Sequence, residues 1–213
     1  DGELDRENQM IEELLNLARM DRKQIAMNIA SIDINALTED VLKRVRPLAQ
    51  KKDVELLLVS EREIRAEVDE VKMVMILTNL IENAVKYNRD HGKVTVRLDS
   101  DGKSFTIEVK DTGIGIPKEA QAKIFDRFYR VDQSRSREIG GTGLGLSIVR
   151  SAVLLHRGTI RVDSEENAGT TFTVSIPLNF IENPDAKETF PTRKKARSEK
   201  AGTEQAEHAD QKL

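Results

Sequence analysis

The segment from about residue 69 to residue 88 carries the feature that most constrains the fold, an apolar helical pattern interrupted by one polar stripe. Asn79, Asn83 and Lys86 follow the i, i+4, i+7 spacing that places side chains on one face of a helix. The apolar positions around them are Val74, Ile76, Leu77, Leu80, Ile81, Ala84 and Val85. An amide buried without partners costs on the order of 1 to 3 kcal/mol. Two amides in register therefore indicate a polar partner against this stripe, and that partner need not be protein.

Apolar periodicity and turn residues divide residues 30 to 180 into further helices and strands. We expect an extended piece at 31–34, helices at about 35–51 and 69–88, strands at 54–60, 63–68, 93–99 and 104–111, a helix opening at the glycines of 140–146, and strands at 158–164 and 170–178. Ser100, Asp101 and Gly102 predict a hairpin turn between two of these strands. This order predicts an α+β domain with a mixed sheet covered on one face by helices.

Two charged segments flank this domain. Residues 3 to about 28 predict one long helix with a narrow apolar seam. The seam residues, spaced by seven, are Leu4, Ile11, Ala18 and Ile25. Such a helix either packs on its own domain or pairs with another helix, and the narrow seam with charged flanks favours pairing. Residues 181–213 contain seven acidic and seven basic residues and predict a disordered tail.

Composition excludes several classes of protein. The formal net charge of −3 gives no reason to expect nucleic-acid binding. The absence of Cys excludes disulfides and thiolate metal sites and is compatible with a reducing cytoplasm. No stretch approaches the roughly 18 apolar residues of a membrane span. Because the chain of 213 residues begins with Asp rather than Met, we expect a piece of a longer protein.

Three further motifs are weak when each is taken alone. Asp111 of "DTGIGIP" sits at a strand exit before two glycines, which is most often a turn. The motif "GGTGLGL" combines unobstructed backbone N–H groups with a helix N-terminus, a combination that favours anions such as phosphates. It fits neither the dinucleotide pattern nor the P-loop. The motif "IFDRFYR" lies in a long connection, where a local hydrophobic plug is the simplest explanation.

Taken in order, the four motifs are highly specific. "NLIENAVKY", "DTGIG", "FDRFYR" and "GTGLGL" resemble the N, G1, F and G2 boxes of sensor histidine kinases. That family shares the Bergerat ATP-binding fold with DNA gyrase, the chaperone Hsp90 and MutL. The resemblance covers about residues 30–180 and implies a two-layer α/β sandwich with a mostly antiparallel sheet. Residues 1–29 resemble the second helix of the dimerisation and histidine phosphotransfer hairpin of the same family.

The resemblance also implies which residues bind Mg-ATP. Asn83 would ligate Mg²⁺ that bridges the phosphates. Lys86 would neutralise phosphate, and Tyr87 would pack near the adenine or ribose. Asp111 would accept a hydrogen bond from the adenine amino group, which favours ATP over GTP. The glycine-rich residues that would let the backbone approach the nucleotide are Gly113, Gly115, Gly141, Thr142, Gly143, Leu144 and Gly145.

Catalytic roles follow from the same resemblance. Asn79 occupies the position at which ATP-hydrolysing relatives usually carry Glu, and an amide cannot act as a general base at neutral pH. We therefore expect slow hydrolysis, with Glu82 only a secondary candidate for the base. The connection at about 117–140 predicts a mobile lid, in which Arg130 approaches the γ-phosphate and Arg127, Arg135 and Arg137 add charge.

The phosphoacceptor of the family is a histidine in an H box. The three histidines here, His91, His156 and His208, do not stand in that setting. The resemblance therefore implies an ATP-binding part that phosphorylates a histidine outside this chain, for relay to a response-regulator aspartate. The full protein would dimerise through its hairpin helices and place this cytoplasmic domain below a plasma-membrane anchor in missing upstream segments. The alternatives are a non-kinase ATPase that acts as a conformational clamp and an idle nucleotide-binding scaffold.

Overall fold

The structure is a computed structural model that describes residues 2–21, 26–131 and 141–180. Its helices are α1 (Gly2–Asp21), α2 (Ile34–Gln50), α3 (Glu70–Lys86) and α4 (Gly145–Leu155). Its strands are β1 (Ile29–Asp33), β2 (Glu55–Ser60), β3 (Arg65–Asp69), β4 (Lys93–Ser100), β5 (Ser104–Asp111), β6 (Thr159–Glu165) and β7 (Gly169–Pro177). Within the described residues, this order of elements is the predicted one.

Five of the strands form one sheet, in the order β2-β4-β5-β7-β6. β2 pairs with β4 in parallel, and the other three pairs are antiparallel. β4 and β5 form the predicted hairpin, in which Asp101 Oδ1 accepts from the backbone N–H groups of Lys103 and Ser104 at 2.8 and 2.7 Å. β1 and β3 form a separate antiparallel ribbon. The five-stranded sheet is therefore mixed and mostly antiparallel, as predicted.

Two aspartates start the first two helices that cover the sheet. The Asp33 side chain accepts from the backbone N–H of Ala36 at 2.9 Å and begins α2. The Asp69 side chain accepts from the backbone N–H of Lys72 at 3.1 Å and begins α3. Each carboxylate satisfies one of the N–H groups that a helix leaves unpaired at its start. The chain thus passes directly from β1 into α2 and from β3 into α3.

The core lies between the sheet and the helices α2, α3 and α4. On α3 the side chains with 0% exposure are Met73, Ile76, Leu77, Leu80, Ile81 and Val85. On β4 and β5 they are Val94, Val96, Phe105, Ile107 and Val109. The alternate strand residues, such as Arg97 and Lys110, are exposed on the opposite face. One face of the sheet is therefore buried under helices and the other is polar, which is what strand alternation predicts.

Helix α1 is shorter than its sequence pattern predicts. It ends at Asp21, residues 26–28 are not helical, and residues 22–25 lie outside the described part of the chain. The backbone N–H of Asn28 donates to Asp69 Oδ2 at 3.0 Å, which directs the chain into β1 instead of a longer helix. The predicted disordered tail at 181–213 also lies outside the described residues.

Both interpretations of α1 find support in its packing. Leu17 and Met20 are 1% and 8% exposed, and α1 packs against α4. The apolar side chains nearer its N-terminus are exposed, namely Leu4, Met10, Ile11, Leu14 and Leu15. The C-terminal part of α1 therefore packs on its own domain through Leu17 and Met20, while Leu4 and Ile11 of the predicted seam are exposed. Among the described residues, no helix has the length and apolar character needed to cross a membrane.

Candidate functional site

Asp111 ends β5 and has a buried carboxylate with only one of its oxygens fully engaged. Its side chain Oδ1 accepts from the backbone N–H groups of Gly113 and Thr170 at 2.8 and 3.3 Å. Within the described residues, Oδ2 has no hydrogen bond. Burial raises the pKa of Asp111 to about 6, although the two backbone hydrogen bonds act in the opposite direction. The site thus presents a partly desolvated acceptor at the end of a strand.

The loop after Asp111 packs directly on the end of α3. The backbone N–H of Ile114 donates to the Tyr87 carbonyl at 3.1 Å. A Cβ at Gly113 would lie 2.3 Å from that carbonyl oxygen and 2.8 Å from Asp111 Oδ1, so glycine is required by this close approach. Tyr87 itself is half-buried. The structure therefore brings the strand exit and the end of the asparagine helix together, as the four-box resemblance implies.

Part of the polar stripe on α3 has a protein partner. The Asn79 side-chain Nδ2 donates to the Met75 carbonyl at 2.8 Å. Its Oδ1 faces the first residue of α4, because a Cβ at Gly145 would lie 2.5 Å from that oxygen. Asn79 therefore fills the contact between α3 and α4. The position of Asn79 therefore has a structural explanation that needs no ligand.

The rest of the stripe is more open. Asn83 is half-buried, and its side chain makes no hydrogen bond within the described part of the chain. Lys86 Nζ lies 2.8 Å from Glu82 Oε2 in an i, i+4 ion pair whose side chains are 28% and 36% exposed. Glu82 therefore holds Lys86 in place and is not directed at Asn79. Of the two amides in the stripe, Asn83 is therefore the one whose side chain has no hydrogen bond among the described residues.

The glycine loop before α4 has two residues with positive φ and contacts two other segments. Gly141 and Gly143 have φ values of 131° and 75°, which favour glycine. The backbone N–H of Phe128, itself at φ 61°, donates to the Gly143 carbonyl at 2.9 Å. The Thr142 hydroxyl accepts from the backbone N–H of Leu144 at 3.2 Å and donates to the Glu13 carboxylate of α1. The loop is thus attached to the F-box segment on one side and to α1 on the other.

Some of the predicted nucleotide-binding residues pack against other parts of the protein. Leu144 is fully buried in the core. Gly115, at φ 71°, packs against the turn between β6 and β7, where a Cβ would lie 2.0 Å from the Glu165 carbonyl oxygen. Arg130 is half-buried and has contacts of its own. Arg135 and Arg137, together with the rest of 132–140, lie outside the described residues.

The loop after β5 depends on residues that motif matching does not reveal. Asn88 is 5% exposed, and its Oδ1 accepts from the backbone N–H of Arg89 and from the Thr112 hydroxyl at 2.9 and 3.2 Å. Ser164 and Gln121 form hydrogen bonds with the backbone of Ile116 in the same loop. These three residues, Asn88, Ser164 and Gln121, belong to none of the four sequence motifs. Contacts between segments far apart in the sequence bring them to this loop, and no spacing in the sequence could have identified them.

The site fits a metal that relies on its substrate for ligands. Among the described residues, no group of three or more His, Asp or Glu side chains could hold a metal ion. Asn83 offers one amide oxygen on the helix face that also carries Lys86. Mg²⁺ commonly takes one or two protein oxygens and completes its octahedron with water and phosphates. A single open amide on α3 therefore suits Mg²⁺ that arrives with a nucleotide.

Comparison with known proteins agrees with this geometry. Residues 68–179 match the family described as histidine kinase-, DNA gyrase B-, and HSP90-like ATPase. Over 187 residues the chain is 38% identical to the sensor histidine kinase WalK of Bacillus subtilis (strain 168), covering 86% of this chain and 30% of that protein. It is 36% identical over 185 residues to the sensor protein kinase WalK of Staphylococcus aureus (strain Newman), again covering 86% and 30%.

Solved structures show the same architecture. The nucleotide-free catalytic domain of histidine kinase ThkA superposes with a TM-score of 0.64 at 28% identity, over 72% of this chain and 97% of that one. Full-length ShkA in complex with AMPPNP superposes with a TM-score of 0.72 at 29% identity, over 83% of this chain and 36% of that one. The chain belongs to the histidine kinase-, DNA gyrase B- and HSP90-like ATPase family, and the predicted fold is confirmed. It spans 30% of the length of the WalK protein of Bacillus subtilis.

Proposed function

We propose that this chain is the ATP-binding catalytic part of a two-component sensor histidine kinase. It would transfer the γ-phosphoryl group of Mg-ATP to a histidine on a helix outside this chain. The observation that carries the proposal is the carboxylate of Asp111. It is buried, its Oδ2 accepts no hydrogen bond from the part of the chain that the structure describes, and it lies beside the end of the helix that carries Asn83. The similarity to WalK proteins supports the kinase over other ATPases of the family.

Base recognition would depend on Asp111. Its ionised Oδ2 is an acceptor, so it would accept from the exocyclic amino group of adenine. Guanine carries a carbonyl oxygen at that position, so its acceptor would face the Asp111 carboxylate, which is also an acceptor. Tyr87 lies against the same loop and would cover one side of the base or ribose. Gly113 would keep this loop close to the base because no larger residue fits there.

Phosphate binding would use the other end of the site. Asn83 would ligate Mg²⁺ through its amide oxygen, and the ion would offset phosphate charge. Lys86, held by Glu82, would place an ammonium group near the phosphates. The loop of Gly141, Thr142, Gly143 and Gly145 would supply backbone N–H groups at the start of α4. Arg130 would approach the γ-phosphate from the F-box segment.

The chain would favour transfer over hydrolysis. Asn79 has an amide where a general base would be needed, and that amide is already bonded to Met75 and packed on Gly145. The Asn79 side chain has no group that could deprotonate water. This feature argues against an ATP-driven clamp, which depends on hydrolysis. It leaves the γ-phosphoryl group for a protein acceptor.

The proposal includes partners and location. In the complete protein, this domain would act in the cytoplasm, and upstream segments would anchor it in the plasma membrane. Two copies would associate through the hairpin helices, and the exposed apolar side chains of α1, such as Leu4 and Ile11, support that role. The phosphohistidine would then serve the receiver domain of a response regulator.

Binding and transfer can be tested separately. Calorimetry should show Mg-ATP binding, with at least tenfold weaker binding in Asp111→Ala and Asn83→Ala and no change in Lys110→Ala, whose side chain lies on the exposed face. With labelled ATP the chain alone should acquire no label. A complete hairpin from a related sensor kinase, supplied in trans, should become labelled on its histidine. Unchanged ATP affinity in Asp111→Ala would contradict the assignment, and label on His91 or His156 would contradict the division of labour.

A further inference from the structure

The hydroxyl of Ser164 on β6 is the centre of a hydrogen-bonded cluster beside the proposed base-binding loop. It accepts from the backbone N–H of Ile116 at 2.8 Å and lies 2.9 Å from the Gly169 carbonyl oxygen and 2.8 Å from Thr170 Oγ1. A hydroxyl has one proton to donate and two lone pairs. Donation to Gly169 and acceptance from Ile116 and Thr170 use all three. Ser164 is therefore fully committed to this cluster.

The Gln121 side chain binds the same loop residue, Ile116, through its backbone carbonyl group. Gln121 Nε2 donates to the Ile116 carbonyl and to the Ser164 carbonyl, both at 2.9 Å. Both backbone groups of Ile116 are thus bonded, the N–H to a serine hydroxyl and the carbonyl to a glutamine amide. Ile116 marks the end of the loop that starts at Asp111. The far end of that loop is therefore attached to β6.

The cluster reaches Asp111 through the neighbouring strand. Thr170 pairs with Ser164 across β6 and β7 and with Asp111 across β7 and β5. The backbone N–H of Thr170 donates to Asp111 Oδ1 at 3.3 Å. Packing around this path is tight, since a Cβ at Gly169 would lie 2.1 Å from the Asp111 carbonyl oxygen. A displacement at Ser164 is therefore transmitted to both ends of the loop.

We propose that Ser164 is a positioning residue for nucleotide recognition. Its hydroxyl fixes the loop from Asp111 to Ile116 and the Thr170 backbone, so that the Asp111 carboxylate stays directed at the base. Ser164 would not touch the nucleotide itself. The inference rests on the proposed role of Asp111 as the residue that reads adenine. It adds to that role a residue on another strand that no motif of the sequence includes.

Removal of the hydroxyl has a specific expected effect. Ser164→Ala leaves the Ile116 N–H and the Thr170 hydroxyl without their partner, so the loop samples more conformations before it binds ATP. We expect affinity for Mg-ATP to fall about tenfold, the scale of one lost hydrogen bond. Ser164→Thr restores a hydroxyl and should recover most of the affinity. Ser175→Ala on β7, which removes a serine hydroxyl from the opposite face of the sheet, is the matched control.

A pH profile separates positioning from a general loss of stability. ATP affinity should fall on acidification as Asp111 takes up a proton, with a midpoint near the pKa of about 6. The Thr170 and Gly113 hydrogen bonds lower that pKa, so their loosening in Ser164→Ala should move the midpoint to higher pH. A variant that is merely less stable would keep the wild-type midpoint at temperatures well below its melting temperature.

The outcomes are distinguishable. Wild-type affinity and midpoint in folded Ser164→Ala, while Asp111→Ala loses binding, would overturn the positioning role and leave the proposed function intact. Unchanged affinity in Asp111→Ala would overturn both. If Ser164→Ala does not fold, Gln121→Ala tests the same attachment from the outer side and should weaken ATP binding severalfold. Wild-type binding in that variant would then overturn the inference.

Discussion

His156 Nε2 accepts a hydrogen bond at 3.0 Å from the backbone N–H of Asp69, a residue 87 positions earlier. The ring Nδ1 lies 2.8 Å from the Ala152 carbonyl oxygen and therefore carries the proton. His156 is 2% exposed, and its neutral ring joins the end of α4 to the start of α3. The adjacent Asp69 carboxylate bonds Lys72 Nζ at 2.7 Å and the backbone of Asn28. This histidine is structural, as its place outside an H box suggests.

Acidification should therefore weaken the fold through His156. Burial lowers the pKa of His156, with smaller effects from the Ala152 carbonyl, Asp69 and Lys72. Above the unfolded value of about 6.5 both states hold the same protons, whereas below it only the unfolded state gains one. The free energy of unfolding should fall as pH drops below about 6.5. His156→Gln keeps an acceptor and should lose this slope in urea titrations between pH 5 and 8. An identical slope would contradict the assignment.

Asp111→Asn should stabilise the protein at neutral pH while it weakens ATP binding. The folded pKa of about 6 lies above the ordinary aspartate value of 3.8, so the ionised carboxylate costs stability at pH 7. An amide removes that cost, and we expect roughly 1 to 3 kcal/mol higher free energy of unfolding at pH 7. The opposing pH dependence between about 4 and 6 should also disappear. Asp163→Asn, an exposed position on β6, should change neither quantity, and a less stable Asp111→Asn would refute the prediction. The histidine titration is best measured in the Asp111→Asn background.

Gly145→Ala should be rescued by Asn79→Ala. The added Cβ would lie 2.5 Å from Asn79 Oδ1 but 4.0 Å from the Asn79 Cβ, which is an ordinary contact. The single variant should lose about 1 to 3 kcal/mol by overpacking. The double variant should recover most of it. Denaturation of all four proteins gives the coupling energy, and strictly additive effects would show that these side chains do not meet.

Leu17→Ala should release α1 from α4. Leu17 is 1% exposed, and loss of a buried Leu side chain typically costs 2 to 5 kcal/mol. Hydrogen exchange of the α1 amides should accelerate, because the contact is local. Leu15→Ala, at a position 50% exposed on the same helix, is the control and should leave exchange unchanged. Equal exchange in the two variants would mean that Leu17 does not anchor the helix.

Periodicity and turn chemistry were sufficient for most of the fold. The apolar spacing on α3 predicts the buried face at Ile76, Leu80 and Val85, and all three are fully buried. The turn residues Asp101 and Gly102 predict the β4–β5 hairpin. These signals are local, so they can be read without knowledge of the partner elements. The non-helical path of residues 26–28 was not predictable in this way, because Asn28 there bonds Asp69 in another element.

The site was predictable only in part for the same reason. The four motifs and their order predict that Asp111, Gly113 and Asn83 bind one nucleotide, and the structure brings the loop after Asp111 against the end of the helix that carries Asn83. The direction of a side chain is set by its neighbours in space. Asn79 turns toward Gly145 and Met75, which its helical position alone does not reveal. Ser164 reaches the loop through strand register, which no single motif contains.

The bond between Thr142 and Glu13 has a consequence for signalling. A hydroxyl carries one proton, so Thr142 can donate either to the α1 carboxylate or to a phosphate oxygen, but not to both at once. If the glycine loop binds phosphate as proposed, the docking of α1 and the binding of phosphate would compete for this one donor. The two effects are reciprocal by thermodynamics: if docked α1 lowers the affinity for nucleotide, then bound nucleotide lowers the affinity of α1 for its docking site by the same factor. If the chain acts as proposed, α1 would report bound ATP to the upstream segments as well as carry a stimulus from them to the nucleotide site.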